Sequence, residues 1–143
     1  MHYSDSQSSE PSTNPIVIAP DEDILMSNVS NFEAAIESAV TTGKGHVIVD
    51  LERVEYLSSL GIGALVRSLR RAREHGGELK LINVREELLR ILRLSGVANV
   101  LDICTSEEEA VAAFGANVGN VERRLLWTIP RQKKDNEEHS PTS

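Results

Sequence analysis

Among its 143 residues the chain has a single cysteine, Cys104. One thiol excludes an internal disulfide framework and any metal motif built on several cysteines, and it points to a reducing cytoplasmic compartment. No apolar run approaches the roughly 20 residues that a membrane-spanning helix needs. Residues Met1 to Asn14 are polar and acidic, without the basic-then-apolar order of a secretory signal. Excess positive charge is missing too: 15 Lys and Arg stand against 22 Asp and Glu, a net charge of -7. Direct nucleic-acid binding is therefore not expected, because phosphate contacts need a basic surface.

Catalytic equipment is equally scarce. A hydrolytic site needs a nucleophile, a base and an orienting acid in mutual reach, yet of four histidines two, His2 and His139, lie in polar ends. The others are His46 at a strand start and His75 at a helix end. Gly61-Ile62-Gly63 lacks both the third glycine of a dinucleotide fingerprint and the Lys-Ser/Thr of a phosphate loop. The sequence reads as a protein that is not an enzyme and that carries no cofactor and no metal.

What is present is an ordinary globular composition, 40% hydrophobic and 26% charged, with room for one domain of about 100 residues. Residues 1–14 and 130–143 are polar and have almost nothing to bury, so ordering them has no return and they are expected to be disordered. The domain proper is expected over 15–116. Ile16, Val17 and Ile18 suggest a brief strand near a sheet edge, stopped by Pro20 and the acidic turn Asp21 to Asp23. Phe32, Ala35, Ile36, Ala39 and Val40 recur at helical spacing behind Ser30 and Glu33, which have the form of a capping box.

His46 to Leu51 is a compact β-branched run of the kind buried on both faces, hence a central strand. A helix from about Gly61 to His75 carries the stripe Ile62, Leu65, Val66, Leu69 and Ala72 and stops at Gly76-Gly77. Then come a strand over Glu78 to Val84, a leucine-rich helix to Ser95-Gly96, a short apolar segment Val97 to Ile103, and a helix opened by Ser106 and Glu109. Alternating strands and helices predict an α/β domain, a mainly parallel mixed sheet of about four strands packed against about four helices. Residues 117–129 follow neither period and are read as an appendix docked on the domain, with Trp127 in it.

The informative stretch is V-E-Y-L-S-S-L-G-I-G-A-L-V, Val54 to Val66, where two hydroxyls sit between a buried strand and an amphipathic helix. Local physics gives such a serine a plain use, capping an orphan N–H at the helix start. Together with H-V-I-V-D-L before it and the H-G-G-E-L-K-L-I-N and L-R-I-L-R-L-S-G-V-A-N-V-L-D-I segments after it, this stretch resembles the STAS domain of bacterial anti-sigma factor antagonists over about residues 16–115. In that family the motif is Asp-Ser-Ser/Thr-Gly, and the serine after the Asp is phosphorylated. The resemblance places Ser58 at the Asp position, Ser59 at the phosphorylated serine, Leu60 at the second hydroxyl and Gly61 at the glycine. Ser59 is the implied acceptor, ahead of Ser58. The family's first strands look shortened here, which would leave the sheet a bare or altered edge.

The resemblance implies partner switching. The unphosphorylated domain would bind an anti-sigma factor with a serine-kinase, ATPase-like fold and free the sigma factor; that kinase would phosphorylate Ser59, and a PP2C-type phosphatase would reset it. The partner surface is expected to comprise Ser58, Ser59, Leu60 and Gly61. Arg67 and Arg71, further along the same helix, are either a solvated cationic face or a docking surface for an acidic patch. The alternative is a phosphorylation-independent STAS scaffold in a signalling or lipid-transport complex. A monomer or weak dimer is expected in either case.

Overall fold

The computed structural model describes residues 14–115 and 118–126. The expected arm 1–14, apart from Asn14, the tail 130–143, Trp127, His2 and His139 lie outside the described residues. Five strands, β1 (Ile16–Pro20), β2 (His46–Asp50), β3 (Glu78–Ile82), β4 (Asp102–Cys104) and β5 (Glu122–Leu126), alternate with four helices, α1 (Val29–Thr42), α2 (Ser59–Glu74), α3 (Glu86–Leu94) and α4 (Glu107–Ala113). They form one sheet of order β4-β3-β2-β1-β5, and every neighbouring pair is parallel.

The sheet buries both faces, and strand alternation sorts its side chains between two apolar layers. Ile16, Ile18, Val47, Val49, Leu79 and Leu81 face α1, α2 and α3, whose Phe32, Ile36, Leu65, Leu69, Leu88 and Leu92 complete the larger layer. Val17, Ile48, Ile82 and Cys104 face the other way and meet Ala110, Val111 and Phe114 of α4 and the turn after it. The central position expected for His46 to Leu51 is the one β2 takes. Where α2 ends, Gly77 passes so close to Gly45 that a Cβ on it would lie 2.2 Å from the Gly45 carbonyl carbon, so only glycine lets these two turns cross.

The Ile16–Ile18 run forms the strand expected near a sheet edge, one place in from it, with β2 on one side and β5 on the other. Two expectations change. The bare edge is filled by the 117–129 segment, whose residues Glu122–Leu126 run in register with Ile16–Pro20. Periodicity missed this strand because an edge strand over a small layer leaves both of its faces part-exposed, with none of its five residues buried. The capping box at Ser30 does not form either. The cap of α1 is Asn28, whose amide braces the preceding loop, Oδ1 accepting from Leu25 N at 2.8 Å and Nδ2 donating to the Asp23 carbonyl at 2.9 Å.

Glu33 does other work. Its carboxylate accepts from Arg67 at 2.9 and 3.0 Å and from Arg71 at 2.9 Å, clamping α1 to α2. Hydrogen bonding from Arg67 outweighs partial burial and, with Arg71, holds the Glu33 carboxyl below its ordinary 4.5. Ser68 is fully buried on α2, and its hydroxyl has no hydrogen-bond partner among the described residues.

Two outcomes follow. Ser68→Ala is expected to be neutral or stabilising by up to about 1 kcal/mol in urea denaturation, since it removes an unsatisfied buried hydroxyl. Glu33→Gln is expected to lower Tm at neutral pH. A depressed carboxyl contributes stability above its unfolded pKa, so the gap to wild type closes as pH falls below 4.5. The gap also narrows in salt, because Arg67 is half exposed.

Candidate functional site

Parallel strands all end on one edge, so the loops leaving β1 and β2 lie side by side, and the structure joins them. Ile24 and Leu57 form a parallel bridge, with Ile24 N donating to the Tyr56 carbonyl at 3.1 Å and Ser58 N to the Ile24 carbonyl at 2.9 Å. Asp23 Oδ1 accepts from Glu55 N at 2.8 Å and Tyr56 N at 3.1 Å, so the acidic turn of the first loop organises the second. At its start this second loop is tied by Asp50, whose Oδ1 accepts from Glu52 N at 3.1 Å and Asn83 Nδ2 at 3.0 Å.

The loop delivers the chain into α2 in a fixed pose. Ser58 is the N-cap, its backbone extended at φ -67° and ψ 166° and its Oγ accepting from Gly61 N at 3.2 Å. The two uses weighed for the serine pair are thus divided: Ser58 caps, and Ser59, the first helical residue, is exposed with no side-chain hydrogen bond among the described residues. An Asp at position 58 could accept the same N–H, since Asp and Ser are comparable N-caps. Ser58 in the Asp place therefore keeps the local geometry and drops a charge. Gly61 is buried where a Cβ would lie 2.8 Å from Leu57 Cδ1 and 2.9 Å from Ile24 Cγ2. The absence of a side chain lets the first turn of α2 sit down on the Ile24–Leu57 bridge.

Large apolar side chains are exposed on these segments: Leu60 48%, Tyr56 50%, Leu25 42% and Met26 77%, and the joined loops put Leu25, Met26 and Tyr56 close to the start of α2. Scattered exposed apolar residues are normal, whereas a cluster marks an interaction surface. Leu25, Met26, Asp23 and Asp50 were not singled out from sequence. Their signal, an Asp-rich turn followed by two large apolar residues, gains meaning only when the loops are brought together.

Ser58, Ser59, Leu60 and Gly61 are consecutive and make up the cap and first turn of α2. Arg67 and Arg71 lie about 12 and 18 Å further along the helix axis, and both are engaged by Glu33 rather than presented as free cations. Arg73 pairs with Glu78 at 2.8 Å. His46 tilts against the Phe114 ring, centroids 4.6 Å apart, and His75 Nδ1 lies 2.9 Å from the Arg71 carbonyl. Neither serves a nucleophile. Burial, reinforced by Asp102, pushes the Cys104 thiol up from its ordinary 9.0, which keeps it protonated and inert. No helix among the described residues is long and apolar enough to cross a membrane, and no group of three or more candidate metal ligands occurs among them.

Residues 8–110 match the STAS domain family. BtrV of Bordetella bronchiseptica, assigned to the anti-sigma factor antagonists, is 30% identical over 87 residues, covering 61% of this chain and 75% of that protein. The anti-sigma-B factor antagonist of Bacillus subtilis is 34% identical over 61 residues, covering 43% of this chain and 56% of the relative. In fold, the chain is similar to the anti-sigma factor antagonist SpoIIAA in its unphosphorylated form, with a TM-score of 0.58 and 23% identity over 73% of this chain and 91% of that one.

Two substitutions test the seat of α2. Ser58→Ala is expected to destabilise by about 1 kcal/mol, the usual loss for an N-cap, with Ser58→Asp close to wild type in chemical denaturation. Gly61→Ala is expected to destabilise by about 1–3 kcal/mol through overpacking, and to broaden the NMR signals of Ile24 and Leu57.

Proposed function

We propose, on the premise that this chain belongs to the STAS domain family, that it is a regulator rather than an enzyme: an anti-sigma factor antagonist switched by phosphorylation of Ser59. The observation that carries this is the division of labour at the start of α2. Ser58 is committed to the cap, so Ser59 is free to be modified without unfolding the helix. The exposed apolar side chains of Leu25, Met26, Tyr56 and Leu60 on the neighbouring loops and helix turn offer a docking surface.

The physics of the switch is local. A phosphate on Ser59 adds roughly -1.5 to -2 charges at pH 7. Placed at the first residue of a 16-residue helix, it is partly compensated by the unpaired N–H groups and the positive dipole end, so the fold persists. The docking surface does not. A dianion close to Leu25, Met26, Tyr56 and Leu60 replaces an apolar contact with a charge that must stay hydrated, and a mismatched charge across an interface costs several kcal/mol. The partner that the family resemblance implies is an anti-sigma factor that is itself a serine kinase of ATPase fold, opposed by a PP2C-type phosphatase. ATP belongs to the kinase. Arg67 and Arg71 enter the surface only as a charge-balanced cluster with Glu33, for which an acidic patch on the partner would have to compete.

Phosphate-affinity electrophoresis with mass spectrometry, together with titration of variants against the isolated anti-sigma factor, tests this reading. Phosphate is expected on Ser59, with Ser59→Ala binding like wild type. Ser59→Glu is expected to bind at least tenfold more weakly, or about 1.4 kcal/mol. Ser59 unmodified in growing and stressed cells, with Ala and Glu variants binding equally, removes the switch.

A further inference from the structure

Strand β5 lies outside the family match, which ends at residue 110, yet it is bound into the sheet along its whole length. Glu122 to Leu126 pair with Ile16 to Pro20, Glu122 N donates to the Pro15 carbonyl at 3.0 Å, and Leu126 and Val121 each pack against one of the two apolar layers. One of its side chains reaches past β1 altogether. Arg123 hydrogen-bonds Asp50 Oδ2 with one terminal nitrogen and Glu107 Oε1, at 2.7 Å, with the other.

Asp50 is the last residue of β2, and its side chain is only 4% exposed. Its second oxygen is the one that accepts from Glu52 N, the first tie of the loop leading to Ser58 and Ser59, and from Asn83 Nδ2. A buried carboxylate deprived of its cation is strongly destabilised and turns toward water. Such a turn weakens its hold on the Glu52 N–H. Other ties at the start of the loop are Leu51 N to the Ile82 carbonyl at 3.0 Å, Val54 N to the Leu51 carbonyl at 3.0 Å and Arg85 Nε to the Glu52 carbonyl at 3.1 Å, while those to Asp23 and Ile24 sit at its far end; of the side chains that hold a loop amide near β2, Asp50 is the one joined to β5. The route from the C-terminal strand to the loop is thus three residues long and made of charge-assisted hydrogen bonds.

We infer that β5 is a strap that sets the conformation of the β2–α2 loop, with Arg123 the positioning residue through which it acts. The strap holds the loop whether or not Ser59 is phosphorylated; only its consequence, that whatever displaces β5 alters the presentation of Ser59, rests on the function proposed above. On β5 itself Glu122 and Arg124 are charged and pair with each other at 2.8 Å, and charge on an edge strand discourages further strand addition.

Amide hydrogen exchange on the full chain tests the strap. In Arg123→Gln the Glu52 amide, the loop N–H that Asp50 accepts from, is expected to exchange about tenfold faster, the loss of one hydrogen bond to a charged group, while the amides of β2 and β3 keep their protection. Arg123→Lys, a milder change that keeps the cation but not the two-pronged grip, is expected to fall between, and Glu107→Gln to leave the loop unchanged. Unaltered exchange in the loop of Arg123→Gln overturns the inference. So does acceleration of loop and core in equal measure, or a Glu107→Gln variant as loose as Arg123→Gln. Should Arg123→Gln not fold, the Lys and Glu107 variants decide by the same criteria. Because exchange needs no phosphate, an unmodified Ser59 removes the switch reading and leaves the strap standing.

Discussion

The parallel ladder between β1 and β2, Ile16 to Ile18 against Val47 to Val49, fixes more of this molecule than any other interaction. It brings both strands to an end on the same edge of the sheet, so the loops after Pro20 and Asp50 emerge as neighbours. Adjacent loops can share hydrogen bonds, and these do, through the Ile24–Leu57 bridge and the Asp23 carboxylate. The first turn of α2 then rests on that bridge at Gly61. Ser59 owes its exposure to this chain of dependence: a strand pairing sets a loop pairing, the loop pairing sets a helix start, and the helix start turns one serine inward to cap and the next outward to solvent.

The same arrangement sets Ser59 apart from the contacts that hold the domain together. The large apolar layer that stabilises the fold lies beneath α1, α2 and α3, and the clamp between α1 and α2 is closed by Glu33 with Arg67 and Arg71, two to three turns from the helix start. Stability is concentrated away from the start of α2. The surface there consists of exposed side chains on two loops and one helix turn, held by backbone hydrogen bonds rather than by burial.

Much of the fold was legible in advance because its signals are local. The β-branched run His46 to Leu51, the apolar stripe of α2, the glycine stops and the Ser106 cap, which accepts from Glu109 N at 3.0 Å, each depend on a few neighbouring residues. The resemblance around Val54 to Val66 was legible for the same reason. What failed was non-local. Ser30 and Glu33 have the spacing of a capping box, but Glu33 finds two arginines 34 and 38 residues away, and a charge-assisted pair outcompetes a cap. Glu122 to Leu126 show no alternation because both faces of this edge strand are part-exposed, and pairing with β1, more than 100 residues earlier in the chain, not burial, makes them a strand.

The sequence by itself determined the α/β class, the central strand, the family and the position of the serine pair, since periodicity, turn residues and a contiguous motif are all written in consecutive residues. It also determined that one of the two serines could serve as a helix cap. Only the tertiary structure decided which one, because that depends on where Ile24 and Leu57 seat the helix. Only the tertiary structure, likewise, turned Arg67 and Arg71 from free cations into a clamp, put Leu25, Met26 and Tyr56 close to the start of α2, and joined Arg123 to Asp50 across 73 residues of chain. Each of these is a contact between distant segments, and its energy is realised only once the sheet has brought them together.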